Sequence, residues 1–143
     1  MRSDTTQSTR RSLLSVARGV FRRADDSKKQ QLVDVDLFSK ESKAKVEHWL
    51  PYGFTFVPQD GAEALTVFLG GNRSHGIVVG VSDRRHRPTN LKPGEVAMHD
   101  DQGQILHLTR DGIHVKTSKK ITFEAEGEVA LSSGGTFHIN PPA

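Results

Sequence analysis

Arg84, Arg85, His86 and Arg87 close a basic turn behind the apolar run GIVVGV, and no other four-residue window of the chain gathers as much positive charge. Guanidinium groups in such a cluster can grip phosphate or carboxylate oxygens through paired N–H donors. A single-stranded oligonucleotide surface would also need rings on which bases stack. The aromatic residues are Phe21, Phe38, Trp49, Tyr52, Phe54, Phe56, Phe68, Phe123 and Phe137, and none lies in or beside the turn. Protein contact or plain solvation suits Arg84, Arg85 and Arg87 better than a polyanion does.

The remaining reactive side chains form no catalytic set. Cysteine is absent, which excludes disulfides, thiolate metal sites and a cysteine nucleophile. No G-x-S-x-G, H-E-x-x-H, phosphate loop or dinucleotide fingerprint occurs. Asp100 and Asp101 sit in a DDQG turn, where carboxylates cap backbone amides. Glu124, Glu126 and Glu128 share one strand face, the pattern of a solvated edge, so the paired-carboxylate cleft of a cell-wall hydrolase is missing. The chain therefore reads as a non-enzyme. Its histidines, His48, His75, His86, His99, His107, His114 and His138, include no H-x-H, so one chain offers no metal site. A threefold assembly changes that, because one axial histidine becomes three ligands, and His138 in TFHIN is the residue for it. Alternation with period two argues against this role by turning Phe137 and Ile139 inward and His138 outward.

Elements must hold these groups in place, and the composition limits which. Apolar residues make up 34% of the 143, with a mean hydropathy of -0.51, a thin supply for a monomeric core that a partner chain would supplement. The net charge of +3 hides a basic N-terminal stretch and an acidic C-terminal one. Residues 1–12 read as a flexible basic arm. Arg10 and Arg11 ahead of Leu13 and Leu14 imitate a twin-arginine signal, but Arg18 interrupts the apolar stretch and no small-residue cleavage site follows. No run approaches the roughly 20 apolar residues of a membrane-spanning helix.

From residue 13 to 94 the pattern is short strands with glycine corners. LVDVDLF alternates with period two, DDSKK turns a first hairpin, and two Pro and a Gly in VEHWLPYGFTFVP bend or break a strand near Leu50 to Gly53. ALTVFLGG and HGIVVGV complete five strands, which predicts an OB-type barrel over 16–82, with an open β-sandwich as the alternative. Residues 95–143 read as strands of about five residues: EVAMHDD, QILHLTRDG, IHVKTSKK, ITFEAEG, EVALSSGG and TFHINPP. Ile113, Val115 and Thr117 fall on one face, then Ile121, Phe123 and Ala125, Val129 and Leu131, and finally Phe137 and Ile139. Such units cannot bury their apolar faces alone, and three chains wound about an axis as a β-prism would solve this, with Phe137 and Ile139 closing the apical core.

The motifs P-Y-G-F-T, G-A-E-A, G-G-N-R-S-H-G-x-V-V, D-R-R-H-R-P and L-K-P-G-E-V-A-M-x-D-D-Q-G, spread over about 19–113, resemble the central tail spike, or baseplate assembly protein V, family of Mu-like contractile-tailed bacteriophages. The resemblance implies a homotrimer in the virion tail baseplate, made in the host cytoplasm. An OB barrel would dock on the tail hub, followed by an intertwined β-helix that makes transient contact with the host outer membrane and pierces it. It implies a structural protein without specific nucleic-acid binding, and places Arg84, Arg85 and Arg87 at chain-to-chain or chain-to-hub contacts. Some relatives hold an iron ion on the trimer axis through H-x-H; this chain has His138 followed two residues later by Asn140, so no cofactor is required, and a three-chain iron site would rest on His138 alone. The competing class is an OB-fold protein that binds single-stranded nucleic acid.

Overall fold

A computed structural model describes residues 6, 8–9, 15–38 and 40–139. The arm proposed over 1–12 thus lies mostly outside the described residues, as do Asn140, Pro141 and Pro142. The chain is all-β, in two compact units, one ending at Arg87 and the other beginning at Pro88.

The first unit contains β1 (Val16–Asp25), β2 (Leu32–Leu37), β3 (Glu41–His48), β4 (Glu63–Phe68) and β5 (Gly76–Ser82). They close in the order β1-β2-β3-β5-β4, with β4 pairing back onto β1, the OB-type barrel expected from the strand count. The expected hairpin forms, turned by residues 26–31 and tied by Asp25, whose Oδ1 accepts from the Ser27 amide at 3.1 Å. In β2, Val33, Val35 and Leu37 are buried while Asp34 and Asp36 face outward, as alternation requires. Closure needs bent strands, and ladder irregularities supply them at Phe21/Arg23 in β1 and, opposite Val33/Val35 of β2, between Val46 and Lys43 in β3. Gly19 permits the tightest approach: a Cβ there would stand 2.5 Å from the Asp36 carbonyl oxygen.

The strand expected to bend or break near Leu50 to Gly53 breaks, ending at His48, and FTFVP forms no strand. β3 begins earlier, in ESKAK, a segment too polar to announce itself. The backbone of Lys45 takes φ +55 there, and its amide donates to Asp34 Oδ1 at 2.9 Å, so the outward acid of β2 holds the neighbouring strand. The parallel β3–β5 seam is short, Glu47↔Ile77 and His48↔Val78. Phe21, Val33, Val35, Leu37, Val46, Ala64, Phe68 and Val78 fill the interior.

A polar plug closes one end of the barrel. His48, only 2% exposed, has Nδ1 2.7 Å from Gln31 Oε1. Gln31 Nε2 donates to Asp26 Oδ1 at 2.7 Å and the Phe56 carbonyl at 3.1 Å, so Oε1 is an acceptor and His48 Nδ1 carries the proton. Burial pushes the His48 imidazole below its ordinary value. The unfolded chain takes up that proton near the ordinary value of about 6.5 and the folded one only at lower pH. Stability from this group is therefore complete above about 6.5 and drains as the pH falls from there through the folded value. The urea midpoint should fall between pH 7 and pH 5, and His48→Gln should flatten that part of the profile; an unchanged slope in the variant would assign the loss to other groups.

The second unit is an antiparallel meander of β6 (Val96–His99), β7 (Ile105–Leu108) and β8 (Ile113–Lys116). Asp100 takes the turn role expected of it: its Oδ1 accepts from the amides of Gln102 and Gln104, each at 2.9 Å. Ile113 and Val115 share a face as expected, but Thr117 lies past the end of β8. The strands expected in ITFEAEG, EVALSSGG and TFHIN do not form within one chain, where 117–139 carry no ladder among the described residues. A five-residue strand gains too little by itself to offset the entropy of ordering it; it needs a neighbour on each side.

Candidate functional site

The basic turn is held by Asp83 at its own start and, from elsewhere in the chain, by the Glu63 carboxylate and the Asp60 carbonyl. Asp83 anchors it: Oδ1 accepts from the Arg85 amide at 3.0 Å and Nε at 2.9 Å, and Oδ2 from Nη2 at 2.6 Å. That guanidinium also donates to the Asp60 carbonyl at 2.9 Å and packs against Gly61, where a Cβ would be 3.0 Å from Nη1 and φ is +90. Arg84 Nε reaches Glu63 Oε1 at 2.6 Å, and Arg18 from β1 reaches Oε2 of the same carboxylate at 2.5 Å. The motifs G-A-E-A and D-R-R-H-R-P are therefore two halves of one feature. Gly61 and Glu63 receive Arg85 and Arg84, while Ala62 and Ala64 turn into the core.

Arg84 and Arg85 are thus occupied within the chain, pinning the 83–87 turn to β1, β4 and the loop before β4. Arg87 is exposed and forms no ion pair among the described residues. Hydrogen bonds from Arg85 hold the Asp83 carboxyl down at about 2. Its contribution to stability is present above the ordinary value near 3.8 and lost as the pH falls through about 2. Arg85→Ala should return the Asp83 carboxyl toward 3.8, read from its side-chain carbon in an NMR titration; a value still near 2 would show that the backbone amide alone sets it.

The second feature was visible only as alternation and becomes a surface once register is known. Val96 pairs with Leu108 and Leu108 with Ile113; Met98 pairs with Leu106 and Leu106 with Val115. Six apolar side chains thus occupy one face of the β6–β8 sheet in two cross-strand rows. Val96, Met98, Leu108, Ile113 and Val115 are between 40% and 69% exposed in the single chain. The opposite face carries Ala97, His99, Ile105, His107, His114 and Lys116. There His107 Nε2 lies 3.4 Å from Glu95, which also accepts from the Lys92 amide at 2.9 Å and is held below the usual carboxylate range, chiefly by that bond. Further along, Ile121, Phe123, Val129, Leu131, Phe137 and Ile139 are all exposed, with His138 exposed between the last two.

Among the described residues no group of three or more His, Asp or Glu side chains can hold an ion within one chain. His138 brings a single imidazole per chain, half of what an H-x-H motif would bring, so the donors present do not match that iron site.

Sequence reasoning singled out the arginines but missed their partners Glu63, Asp83 and Asp60. The partners are 20 or more residues away or look like ordinary turn acids, and it is the antiparallel β4–β5 register, Glu63↔Ser82, that brings Glu63 beside the segment after β5.

Residues 18–85, nearly the whole barrel and its arginine turn as far as Arg85, match the family model described as "Bacteriophage Mu Gp45, N-terminal". The chain is 38% identical over 127 residues to the baseplate puncturing device gp45 of Escherichia phage Mu, covering 89% of this chain and 64% of that protein. It is 35% identical over 113 residues to the Mu-like prophage FluMu protein gp45 of Haemophilus influenzae, covering 79% of this chain and 62% of the relative. The chain thus spans somewhat less than two thirds of the length of either relative. With an OB-type barrel matching the family's N-terminal module, and with alignment running on into the meander and the segment beyond, this chain belongs to the bacteriophage Mu Gp45 family of Mu-like baseplate spikes.

Proposed function

We propose that the protein is a structural component of a contractile phage tail baseplate, a homotrimeric central spike whose barrel docks on the tail hub and whose distal part pierces the host outer membrane. The observation that carries this reading is the apolar face of β6–β8 with its continuation through Ile121, Phe123, Val129, Leu131, Phe137 and Ile139. A single chain leaves it in water, and burying each such side chain is worth roughly 1.5 to 3 kcal/mol. Three copies around an axis cover the face and give the strands neighbours. The relative named a puncturing device supports the piercing role by similarity. Phe137 and Ile139 close the apical core, His138 lies outside it, and iron is not required for the fold. Arg87 and the outer sides of Arg84 and Arg85 are left for contact with a neighbouring chain or the hub. In-chain neutralisation of Arg84 and Arg85 weakens the oligonucleotide alternative by consuming the charge it would use.

Sedimentation at micromolar concentration tests the assembly. The expected mass is three times that of the 15.8 kDa chain, and a folded monomer would overturn the reading.

A further inference from the structure

Residues 49–62, between β3 and β4, form no strand, and the large apolar side chains of 49–57 are not spent on the core. Trp49 is 60% exposed, Tyr52 fully, Phe54 55%, Phe56 43% and Val57 54%. The segment is nonetheless built. The Trp49 amide donates to the Val78 carbonyl at 3.0 Å, and the Phe54 amide to that of Pro51 at 3.0 Å. With Gly53 at φ +83 the latter bond closes a turn of the type that needs glycine in third place, which holds Tyr52 at its tip. So many aromatic rings on one exposed segment mark an interaction surface.

Of these rings Trp49 lines a cavity of about 360 Å³ at the plugged end of the barrel, with Leu50 and Thr55 also in its wall, Lys28 and Lys29 at the β1–β2 turn and the buried His48 in its lining. The acids nearby are engaged: Asp25 accepts from Ser27, Asp26 from Gln31, and Glu47 from Trp49 Nε1 at 3.2 Å. Lys28 acts on Asp25 only through its field, and neither Lys28 nor Lys29 forms an ion pair among the described residues. The uncompensated charge at the mouth is therefore positive. His48 uses Nδ1 toward Gln31 and has no bond at Nε2 among the described residues, which leaves an acceptor for an incoming N–H.

We propose that this barrel mouth is the docking site for an acidic segment of a second baseplate protein, one that inserts an apolar side chain beside Trp49 and sets carboxylates against Lys28 and Lys29. The proposal rests on the baseplate reading above and moves the main hub contact from the arginine turn to the opposite chemistry of aromatic rings and free lysines. Two unpaired cations suit a short acidic segment, whereas a nucleic-acid strand requires a track of them along its phosphates. The acidic, apolar stretch 121–131 of a second copy is already committed to the threefold core.

The test uses tail particles assembled with the full chain. Tyr52→p-benzoylphenylalanine should, on illumination, cross-link to one other tail protein identified by mass spectrometry. Lys28→Glu combined with Lys29→Glu should leave the trimer mass unchanged and lower incorporation into particles about tenfold, as reversal of a close charge pair would. A cross-link only to another copy of this chain, no cross-link although the chain is in the particle, or salt-sensitive quenching of Trp49 by an oligothymidylate would each overturn the docking site. Absence of the unaltered chain from particles would instead overturn the baseplate reading, and the docking site with it.

Discussion

Val115→Asp should convert the trimer to a folded monomer. Val115 lies on edge strand β8, 58% exposed in the single chain, so a carboxylate there costs the isolated meander little. In the proposed assembly the same position would face the other chains, in a row with Leu106 and Met98. Three carboxylates would then be enclosed near one axis without partners, each with a desolvation penalty of several kcal/mol, with mutual repulsion added. A total penalty of about 10 kcal/mol is larger than most oligomers can absorb, since every 1.4 kcal/mol is tenfold in affinity. Sedimentation should return the single-chain mass, with the barrel's thermal transition retained. Lys116→Asp, on the opposite face, is the control and should leave the mass unchanged. Trimers persisting in Val115→Asp would mean that this face is not the one buried.

Phe68→Ala should unfold the barrel at 37 °C. Phe68 is 1% exposed at the end of β4, and its ring is covered by Arg73, whose Cζ lies 4.2 Å from the centroid. Arg73 is in turn paired to Glu41 at the start of β3. Across the ladder the ring sits where a Cβ on Gly76 would be 2.9 Å from Cε1, so nothing can collapse into the vacated volume without moving backbone. Removing such a side chain costs about 3 to 5 kcal/mol against a typical domain stability of about 5 to 15. The thermal midpoint should drop by well over 10 °C. Tyr52→Ala, removing an equally large but fully exposed ring, should shift it by no more than a degree or two. Equal shifts in the two variants would show that ring burial is not what holds the barrel.

The sequence by itself determined the all-β class, the first hairpin, the inward residues of β2, the break after β3 and the DDQG turn. Each is written in local alternation or in turn residues, and local pattern survives whatever the rest of the chain does. Its motifs also pointed to the spike family, because glycines and paired charges at fixed spacing mark particular backbone turns and contacts. Tertiary structure decided what alternation cannot express. Strand β3 is recruited through polar ESKAK, because the acids of β2 supply partners that propensity ignores. The conspicuous Arg84 is answered by Glu63 once the antiparallel β4–β5 register sets Glu63 beside the turn. Cross-strand register, a property of pairs of segments, gathers six scattered apolar residues into one face. The distal strands expected over 121–139 have no ladder within one chain, since a strand is stable only against a neighbour and period two names a face without naming what covers it.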